Sequence, residues 1–204
     1  MSILHYFFGN DKKRAKFIFD FIAPVYGKAD KAIEKDYREM VKVLNEKYPL
    51  KEMSVLDVGT GTGSWLTAMS QYTSGRLTGV DMSEKMLQQA RAKHPDFEFV
   101  HNDAEDLAIF PDNTFDIVTA SFVLHGMKSD ERKKVLDEMK RVASKYVMIQ
   151  DFYLEPEPFV KVLEFMERSD YRHFMKNFKT CMENNFKESD IVISGNRSVY
   201  VGIL

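Results

Sequence analysis

Short β-rich runs alternate with amphipathic segments between residues 54 and 151, and this alternation constrains the fold more than any other feature of the chain. The β-rich runs are residues 54–58, 76–81, 97–101, 115–121 and 146–151. The segments at 62–72, 83–93 and 130–143 repeat apolar residues at spacings of three and four, which predicts helices. Strands that alternate with helices at this rhythm indicate a parallel sheet with helices on both faces.

The two ends of the chain depart from this alternation. Residues 1–50 have the apolar spacing of helices, and so do most of residues 152–187. Residues 188–204 form two alternating runs around Gly195-Asn196, a pair typical of a tight hairpin turn. We therefore predict a single α/β domain over residues 1–204, a Rossmann-like three-layer sandwich with a mostly parallel seven-stranded sheet. Its parts are an N-terminal helical lid (1–50), a ligand-binding core (51–151), a helical insertion (152–187) and a C-terminal antiparallel hairpin (188–204).

Composition limits the classes of partner. The formal net charge is −2, so no global field favours nucleic acid or an anionic membrane surface. Cys181 is the only cysteine, and no cluster of His, Cys and Asp has the spacing of metal ligands. No apolar run approaches the roughly 20 residues that span a bilayer, and the N-terminal charges follow the apolar residues, the reverse of a signal peptide. We expect a cytoplasmic protein without a metal, a nucleic-acid partner or a membrane span.

A glycine-rich loop, "GTGTG", follows the first predicted strand. In an open parallel sheet, ligands bind outside the carboxyl ends of the strands, where this loop lies. Asp81 ends the second predicted strand, 22 residues after Gly59, and its carboxylate could accept hydrogen bonds from both hydroxyls of a ribose. These features fit a bound nucleoside.

The acidic residue before the loop favours one class of nucleoside. A dinucleotide would bring an anionic pyrophosphate to the start of the next helix, where Asp57 would repel it. The dinucleotide pattern also wants glycine at its sixth position, which is Ser64 when counted from Gly59 and Leu66 when counted from Gly61. A nucleoside with a cationic amino-acid end satisfies both carboxylates, and S-adenosylmethionine is that molecule.

Three segments resemble the motifs of one enzyme family. "VLDVGTGTG" looks like its first motif, "GVDMSEKML" like the segment that meets the ribose, and "NDAEDLAIFPDNTFDIVTASFVLHGM" like the stretch that contacts adenine and then forms the fourth strand. Over about residues 54–150, the chain resembles the class I S-adenosylmethionine-dependent methyltransferases, especially the ubiquinone and menaquinone biosynthesis branch. The segment "FDFIAPVYGKAD" is similar to the N-terminal signature of that branch, which lies over the cofactor.

The resemblance implies that S-adenosylmethionine is the cofactor and assigns its methionine end to the first motif. Gly59, Thr60 and Gly61 would line that end, and Asp57 would lie near the ammonium group, directly or through water. Asp57 could instead only cap the amides of the loop.

The resemblance assigns the adenosine part to the next two motifs. Asp81 would hold the ribose, and Met82 would pack against adenine. Asp103 would accept a hydrogen bond from the adenine amino group, and the N–H of Ala104 would donate to a ring nitrogen. As alternatives, Asp81 could cap the next helix, although Ser83 is better placed for that, and Asp103 could be a turn residue.

The region of methyl transfer would be formed by the end of the fourth strand. The resemblance implies that Ser121 and Phe122 face this region, and Tyr26 of the N-terminal signature is included with them. His125 follows and could remove a proton from the acceptor, or it could be a loop residue bonded to the backbone. Trp65 could stack on a cation, but a tryptophan one turn into a packed helix is more often part of the core.

The sequence therefore predicts a methyltransferase that moves a methyl group to a small apolar or aromatic acceptor by in-line displacement, as a monomer or a homodimer. The alternatives are a protein that binds the cofactor without catalysis and a nicotinamide oxidoreductase. Aromatic residues of the end segments could wall the acceptor, or they could simply pack on the sheet; they are Phe17, Phe21, Tyr26, Phe159, Phe165, Tyr171, Phe174 and Phe178.

Overall fold

The computed structural model describes residues 34–152, 170–195 and 197–204, and in them seven strands form one sheet. The strands are β1 (Val55–Val58), β2 (Leu77–Asp81), β3 (Glu98–His101), β4 (Phe115–Ser121), β5 (Ala143–Phe152), β6 (Glu188–Ser194) and β7 (Arg197–Ile203). Their order is β3-β2-β1-β4-β5-β7-β6. β1 to β5 pair in parallel, whereas β7 pairs antiparallel with both β5 and β6. This confirms the predicted fold class, an α/β sandwich on a mostly parallel seven-stranded sheet that ends in an antiparallel hairpin.

Five helices accompany the sheet in the described part of the chain. They are α1 (34–47), α2 (Ser64–Met69), α3 (Glu84–Lys93), α4 (Ser129–Val142) and α5 (Tyr171–Asn185). Ser83 caps α3 as predicted, since its side chain accepts a hydrogen bond from the N–H of Met86. The predicted helix at 62–72 is shorter in the structure, because Gly63 takes a left-handed conformation and delays the start of α2 to Ser64.

Two apolar layers enclose the sheet. Helices α1 and α2 pack on one face, the α1 face, where Leu44 and Trp65 belong to the same apolar cluster as strand residues such as Ile117 and Met148. Helices α4 and α5 pack on the other face, the α5 face, where Met139 and Phe178 belong to the core. Because side chains alternate along a strand, each polar residue at the carboxyl end of a strand is assigned to one of these two faces.

Several expectations lie outside the described residues. The structure describes neither the segment that holds Tyr26 nor the one that holds Phe159 and Phe165. Within the described part, Phe174 and Phe178 have 0% and 1% of their surface exposed and stack on each other in the core. For these two residues the packing alternative therefore holds.

Candidate functional site

The loop that joins β1 to α2 has the backbone conformation that only glycine adopts easily. Gly59, Gly61 and Gly63 have φ angles of 73°, 56° and 83°. A Cβ atom on Gly59 would lie 2.5 Å from the Val123 side chain, so this part of the loop packs tightly against the segment after β4. A Cβ on Gly61 would meet no atom of residues 34–152, 170–195 or 197–204 within 4 Å, so among these residues this part of the loop borders space that a ligand can enter.

Asp81, at the end of β2, fixes the position of that loop. One carboxylate oxygen accepts a hydrogen bond from the N–H of Gly61 at 2.9 Å. The other accepts from the N–H of Ser83 at 2.7 Å. Both oxygens of Asp81 are thus held beside the glycine-rich loop, at the end of β2.

Asp57, at the third position of β1, is a buried carboxylate with unused acceptors. Its exposed fraction is 1%, and neither oxygen has a hydrogen-bond partner among the residues that the structure describes. Burial raises the pKa of this carboxyl from 3.8 to about 8; the nearby Thr60 hydroxyl lowers it somewhat, and the negative charge of Asp81 adds to the rise. The alternative in which Asp57 caps the amides of the loop finds no support in these contacts.

The loop after β3 holds the residues expected at adenine. One carboxylate oxygen of Asp103 accepts a hydrogen bond from the N–H of Glu105 at 3.0 Å, so Asp103 does act as a turn residue. Ala104 is buried, with 8% exposed. The carbonyl of Met82 lies 2.9 Å from Nε2 of His101, which ties the end of β2 to β3. This contact gives His101 a structural role.

The end of β4 joins several polar side chains on the α1 face. The Ser121 hydroxyl lies 3.0 Å from the Tyr37 hydroxyl and 2.6 Å from Oε1 of Gln150. Phe122, the next residue, has a φ of 53°, which is unusual for a residue with a side chain, and its ring stacks on Tyr37. Backbone strain of this kind is concentrated at functional sites.

His125 lies beyond β4 on the α5 face and forms a buried pair with Asp151. Nδ1 is 2.9 Å from one oxygen of the carboxylate and 3.1 Å from the other, with 5% of the histidine and none of the aspartate exposed. A carboxylate accepts hydrogen bonds, so Nδ1 carries the proton and Nε2 is the basic nitrogen of the neutral ring. The partner is thus a side chain rather than the backbone, and the rings of Tyr171 and Phe174 lie beside the imidazole.

Most of the predicted site residues converge on one edge of the sheet. Asp57, Asp81 and Ser121 lie at the carboxyl ends of three adjacent parallel strands, in the order β2-β1-β4. Gly59, Thr60 and Gly61 follow β1, Met82 follows β2, Asp103 and Ala104 follow β3, and Phe122 and His125 follow β4. Trp65 is in the core instead, with its indole N–H donating to the Thr119 hydroxyl at 3.0 Å, as the core interpretation predicted.

The sequence reasoning missed four residues at this edge, namely Tyr37, Gln150, Asp151 and Arg197. Gln150 and Asp151 end the fifth strand, so the rule that ligands bind at the carboxyl ends of strands could have singled them out. Tyr37 and Arg197 reach the edge from a helix and from the hairpin, and no local pattern marks them. In the described part of the chain, no group of three His, Cys, Asp or Glu side chains could hold a metal ion.

Hydropathy gives one further result for the described helices. None of them is both long enough and apolar enough to cross a bilayer.

Comparisons with known proteins agree with this geometry. Residues 55–145 match the family described as a methyltransferase domain. A demethylmenaquinone methyltransferase of Staphylococcus aureus is 33% identical over 139 residues, which are 65% of this chain and 56% of that protein. The chain thus spans little more than half the length of this curated relative.

Solved structures share the fold over most of the chain. A S-adenosylmethionine-dependent methyltransferase of Aquifex aeolicus is 25% identical with a TM-score of 0.60, and the match covers 81% of this chain and 88% of that one. A Pyrococcus horikoshii protein is 21% identical with a TM-score of 0.66, over 83% and 90% of the two chains.

Sequence and fold lead to the same family. The matched segment, residues 55–145, contains the glycine-rich loop, Asp57, Asp81 and the end of β4. Over residues 55–145 the chain therefore matches a methyltransferase domain, and it is similar to the class I S-adenosylmethionine-dependent methyltransferases, in particular those of the menaquinone and ubiquinone branch.

Proposed function

We propose that this chain binds S-adenosylmethionine and transfers its methyl group to a small aromatic or apolar acceptor. The observation that carries the proposal is the buried carboxylate of Asp57, which has no hydrogen-bond partner in the described part of the chain. A buried polar group without a partner costs about 1–3 kcal/mol, and more when it is charged. A cationic ligand group that reaches Asp57 would remove this cost.

The residues around Asp57 fit the rest of the same cofactor. Among the described residues, none fills the space beside Gly61, which leaves room for a ligand backbone. The carboxylate of Asp81 is held beside the same loop, where it would meet ribose hydroxyls. Asp57 and Asp81 together would make the pocket unfavourable for a pyrophosphate. For this reason we prefer the sulfonium nucleoside over a dinucleotide.

The remaining contacts of the cofactor are assigned by position along the sheet edge. Gly59, Thr60 and Gly61 would line the methionine end, and Met82 would pack against adenine. Asp103 would accept a hydrogen bond from the adenine amino group. Ala104, Ser121, Phe122 and Tyr26 complete the proposed set, and Tyr26 lies outside the described residues.

When bound, the cofactor supplies a methyl group that is already activated by a sulfonium centre. The protein then needs to position the acceptor and exclude water, which can lower a barrier by roughly 7–11 kcal/mol when the alignment is good. His125 would accept the proton that the acceptor loses, at Nε2, and Asp151 would hold the ring in the required tautomer. The acceptor is therefore expected to carry a proton that must be removed.

The acceptor class is supported by the relatives and by the lining of the site. Several relatives are named demethylmenaquinone methyltransferase. In this chain Tyr171 lies beside His125, and Phe122 lies beside Tyr37, so aromatic rings border the proposed transfer region from both faces of the sheet. We propose an aromatic hydroxylated ring as the acceptor.

The first test is calorimetric binding of S-adenosylmethionine to the purified chain. We expect binding at micromolar concentrations, and a loss of at least tenfold in affinity for Asp57→Asn and for Asp81→Asn. Asp96→Asn is the matched control, because Asp96 is exposed and precedes β3 at the opposite edge of the sheet. Absence of binding at millimolar cofactor would refute the proposal.

The second test separates catalysis from binding alone. The chain is incubated with cofactor carrying a labelled methyl group and with the lipid and small-molecule fractions of a cell extract. Incorporation of label into a small aromatic compound is expected, and it should be lost in His125→Gln. A chain that binds the cofactor but labels nothing would be a binding protein and not an enzyme.

A further inference from the structure

Five side chains form a connected polar and aromatic cluster on the α1 face, which we call the Gln150–Arg197 cluster. It consists of Tyr37, Ser121, Phe122, Gln150 and Arg197. Ser121 bonds to Tyr37 and to Gln150, as described above. The guanidinium carbon of Arg197 lies 5.6 Å from the centre of the Tyr37 ring and 5.2 Å from that of Phe122.

Two nitrogen donors of this cluster lack a hydrogen-bond partner in the described part of the chain. Gln150 is fully buried, and its Nε2 has no hydrogen-bond acceptor among the described residues. Nη1 of Arg197 is buried and also lacks an acceptor there, although Nη2 of the same side chain donates to Asp36 at 2.7 Å. Each donor therefore belongs to a side chain that a second polar atom already orients, Oε1 in Gln150 and Nη2 in Arg197.

The two donors lie on neighbouring strands and on the same face of the sheet. In the pairing of β5 with β7, Gln150 is opposite Val199 and Phe152 is opposite Arg197, so Arg197 is two positions further toward the carboxyl edge of β5. Two positions along a strand amount to about 7 Å, and neighbouring strands are about 4.8 Å apart. A long arginine side chain spans such a distance, and the Phe122 ring beneath its guanidinium lies next to Ser121.

An unpaired buried amide and an unpaired buried guanidinium nitrogen are both costly. Since side chains in a native structure are nearly always satisfied, two orphaned donors in one cluster indicate a ligand atom that accepts from them. The usual ligand atom that accepts a hydrogen bond from such N–H groups is an oxygen. Because the guanidinium of Arg197 is positively charged, it favours an oxygen that carries negative charge.

We infer that the Gln150–Arg197 cluster is a subsite for an oxygen of the methyl acceptor, a ring carbonyl or an ionised ring hydroxyl. This inference rests on the proposed function and names the chemical group that the site selects. An acceptor whose oxygen becomes negatively charged when it loses its proton would bind more tightly to this cluster. The cluster lies on the α1 face of the sheet, whereas His125 lies on the α5 face. The subsite thus selects oxygenated rings over hydrocarbons.

The carboxylate of the bound cofactor is the other oxygen group that could occupy the cluster. The strand order makes the cofactor carboxylate the weaker choice. Asp57 lies on β1, and β4 separates β1 from β5, while β4 and β5 together separate β1 from β7. In an amino acid the ammonium and carboxylate groups share one carbon atom. A cofactor whose ammonium lies at Asp57 therefore places its carboxylate near β1 and not near β7.

The experiment compares two probes of similar shape in the presence of saturating S-adenosylhomocysteine. The probes are 2-hydroxy-1,4-naphthoquinone, which is an oxyanion at pH 7, and naphthalene, which has no oxygen. Wild-type protein should bind the oxygenated probe at least tenfold more tightly. Gln150→Met and Arg197→Met should each reduce this preference about tenfold, whereas the exposed controls Gln88→Met and Arg91→Met should retain it.

Four outcomes are distinguishable. Loss of the preference in the two cluster variants, with unchanged affinity for S-adenosylhomocysteine, supports the subsite. Equal or no binding of the two probes by the wild type, or a preference that survives both substitutions, overturns the subsite while the proposed function stands. A fall of tenfold or more in cofactor affinity in the cluster variants would assign the donors to the cofactor carboxylate and also overturn it. If the wild type binds no S-adenosylhomocysteine, the proposed function is refuted, and the subsite, which rests on it, is refuted as well. Circular dichroism of each variant establishes that it is folded.

Discussion

At the scale of single residues, the character of the site depends on two buried carboxylates that the protein treats differently. Asp57 has no partner in the described part of the chain, and burial raises its pKa to about 8. Asp151 is equally buried but is paired with His125. The first is prepared for a positive charge that comes from a ligand, and the second serves a side chain of the protein itself.

The raised pKa of Asp57 predicts a pH dependence of stability. In the folded protein this carboxyl holds its proton up to a pKa of about 8, whereas the unfolded chain loses it near 3.8. Between these values the folded state binds more protons, so the contribution of Asp57 to the free energy of unfolding is complete below about pH 4 and is lost as pH rises toward 8. Between pH 5 and 8, the free energy of unfolding measured in urea should therefore decline less with pH in Asp57→Asn than in the wild type. In Asp96→Asn it should decline as much as in the wild type. A wild-type slope retained in Asp57→Asn would contradict the assignment.

The His125–Asp151 pair predicts a change in the pH profile of the reaction. Asp151→Asn removes the negative charge beside Nδ1, so the imidazole loses both orientation and basicity. We expect methyl transfer to fall by about 10²-fold, a typical contribution of a positioned base. The acidic limb of the kcat profile should move, while the affinity for S-adenosylmethionine stays unchanged. A stable variant with full activity and an unshifted profile would leave the pair with a purely structural role.

At the scale of elements, the packing of α5 on the sheet depends on a close contact that only a small residue permits. Gly202 of β7 lies under the ring of Phe186, which follows α5, and a Cβ there would come within 2.5 Å of the ring. The contact fixes how α5, with Tyr171 at its start, lies on the sheet beside His125.

This contact predicts the effect of a single added methyl group. Gly202→Ala forces the Phe186 ring or the strand to move and should lower the free energy of unfolding by about 1–3 kcal/mol, the usual cost of overpacking. Gly126→Ala is the matched control, because its Cβ would meet nothing within 4 Å and its φ is not in the left-handed region. Equal stability of the two variants in urea unfolding would show that the ring moves aside without cost.

At the scale of the whole molecule, a ligand that bridges the ends of several strands should stabilise the entire domain. Saturation at 100 times the dissociation constant adds about 2.7 kcal/mol to the free energy of unfolding. For a chain of this size, that raises the melting temperature by about 5–10 °C. Thermal unfolding with S-adenosylhomocysteine should show this shift, and Asp57→Asn should reduce it. NADH should cause none, and an equal shift with NADH would favour the nicotinamide alternative.

How much could be predicted from the sequence follows from which interactions are local. Local features depend on residues a few positions apart and can therefore be recognised in the sequence. They are the strand and helix periods, the Ser83 cap and the glycine loop, and they predict the sheet and the edge at which a ligand binds. Asp57, Asp81 and His125 were predicted as site residues for the same reason, since each lies at the end of a predicted strand or soon after it. Pairs between distant segments were not predicted, because Asp151 lies 26 residues from His125 and Arg197 lies 161 residues from Asp36.

By itself the sequence determined the α/β class, the position of the ligand edge and the preference for a cationic nucleoside, because these follow from periodicity and from the charges next to one loop. Only the tertiary structure decided which face each polar residue occupies, that His125 is paired with a carboxylate, and that Gln150 and Arg197 hold unsatisfied donors in one cluster. Those properties arise when strands distant in sequence become neighbours and water is removed from between their side chains. Burial and hydrogen-bond satisfaction belong to the packed sheet, and no segment of the chain carries them alone.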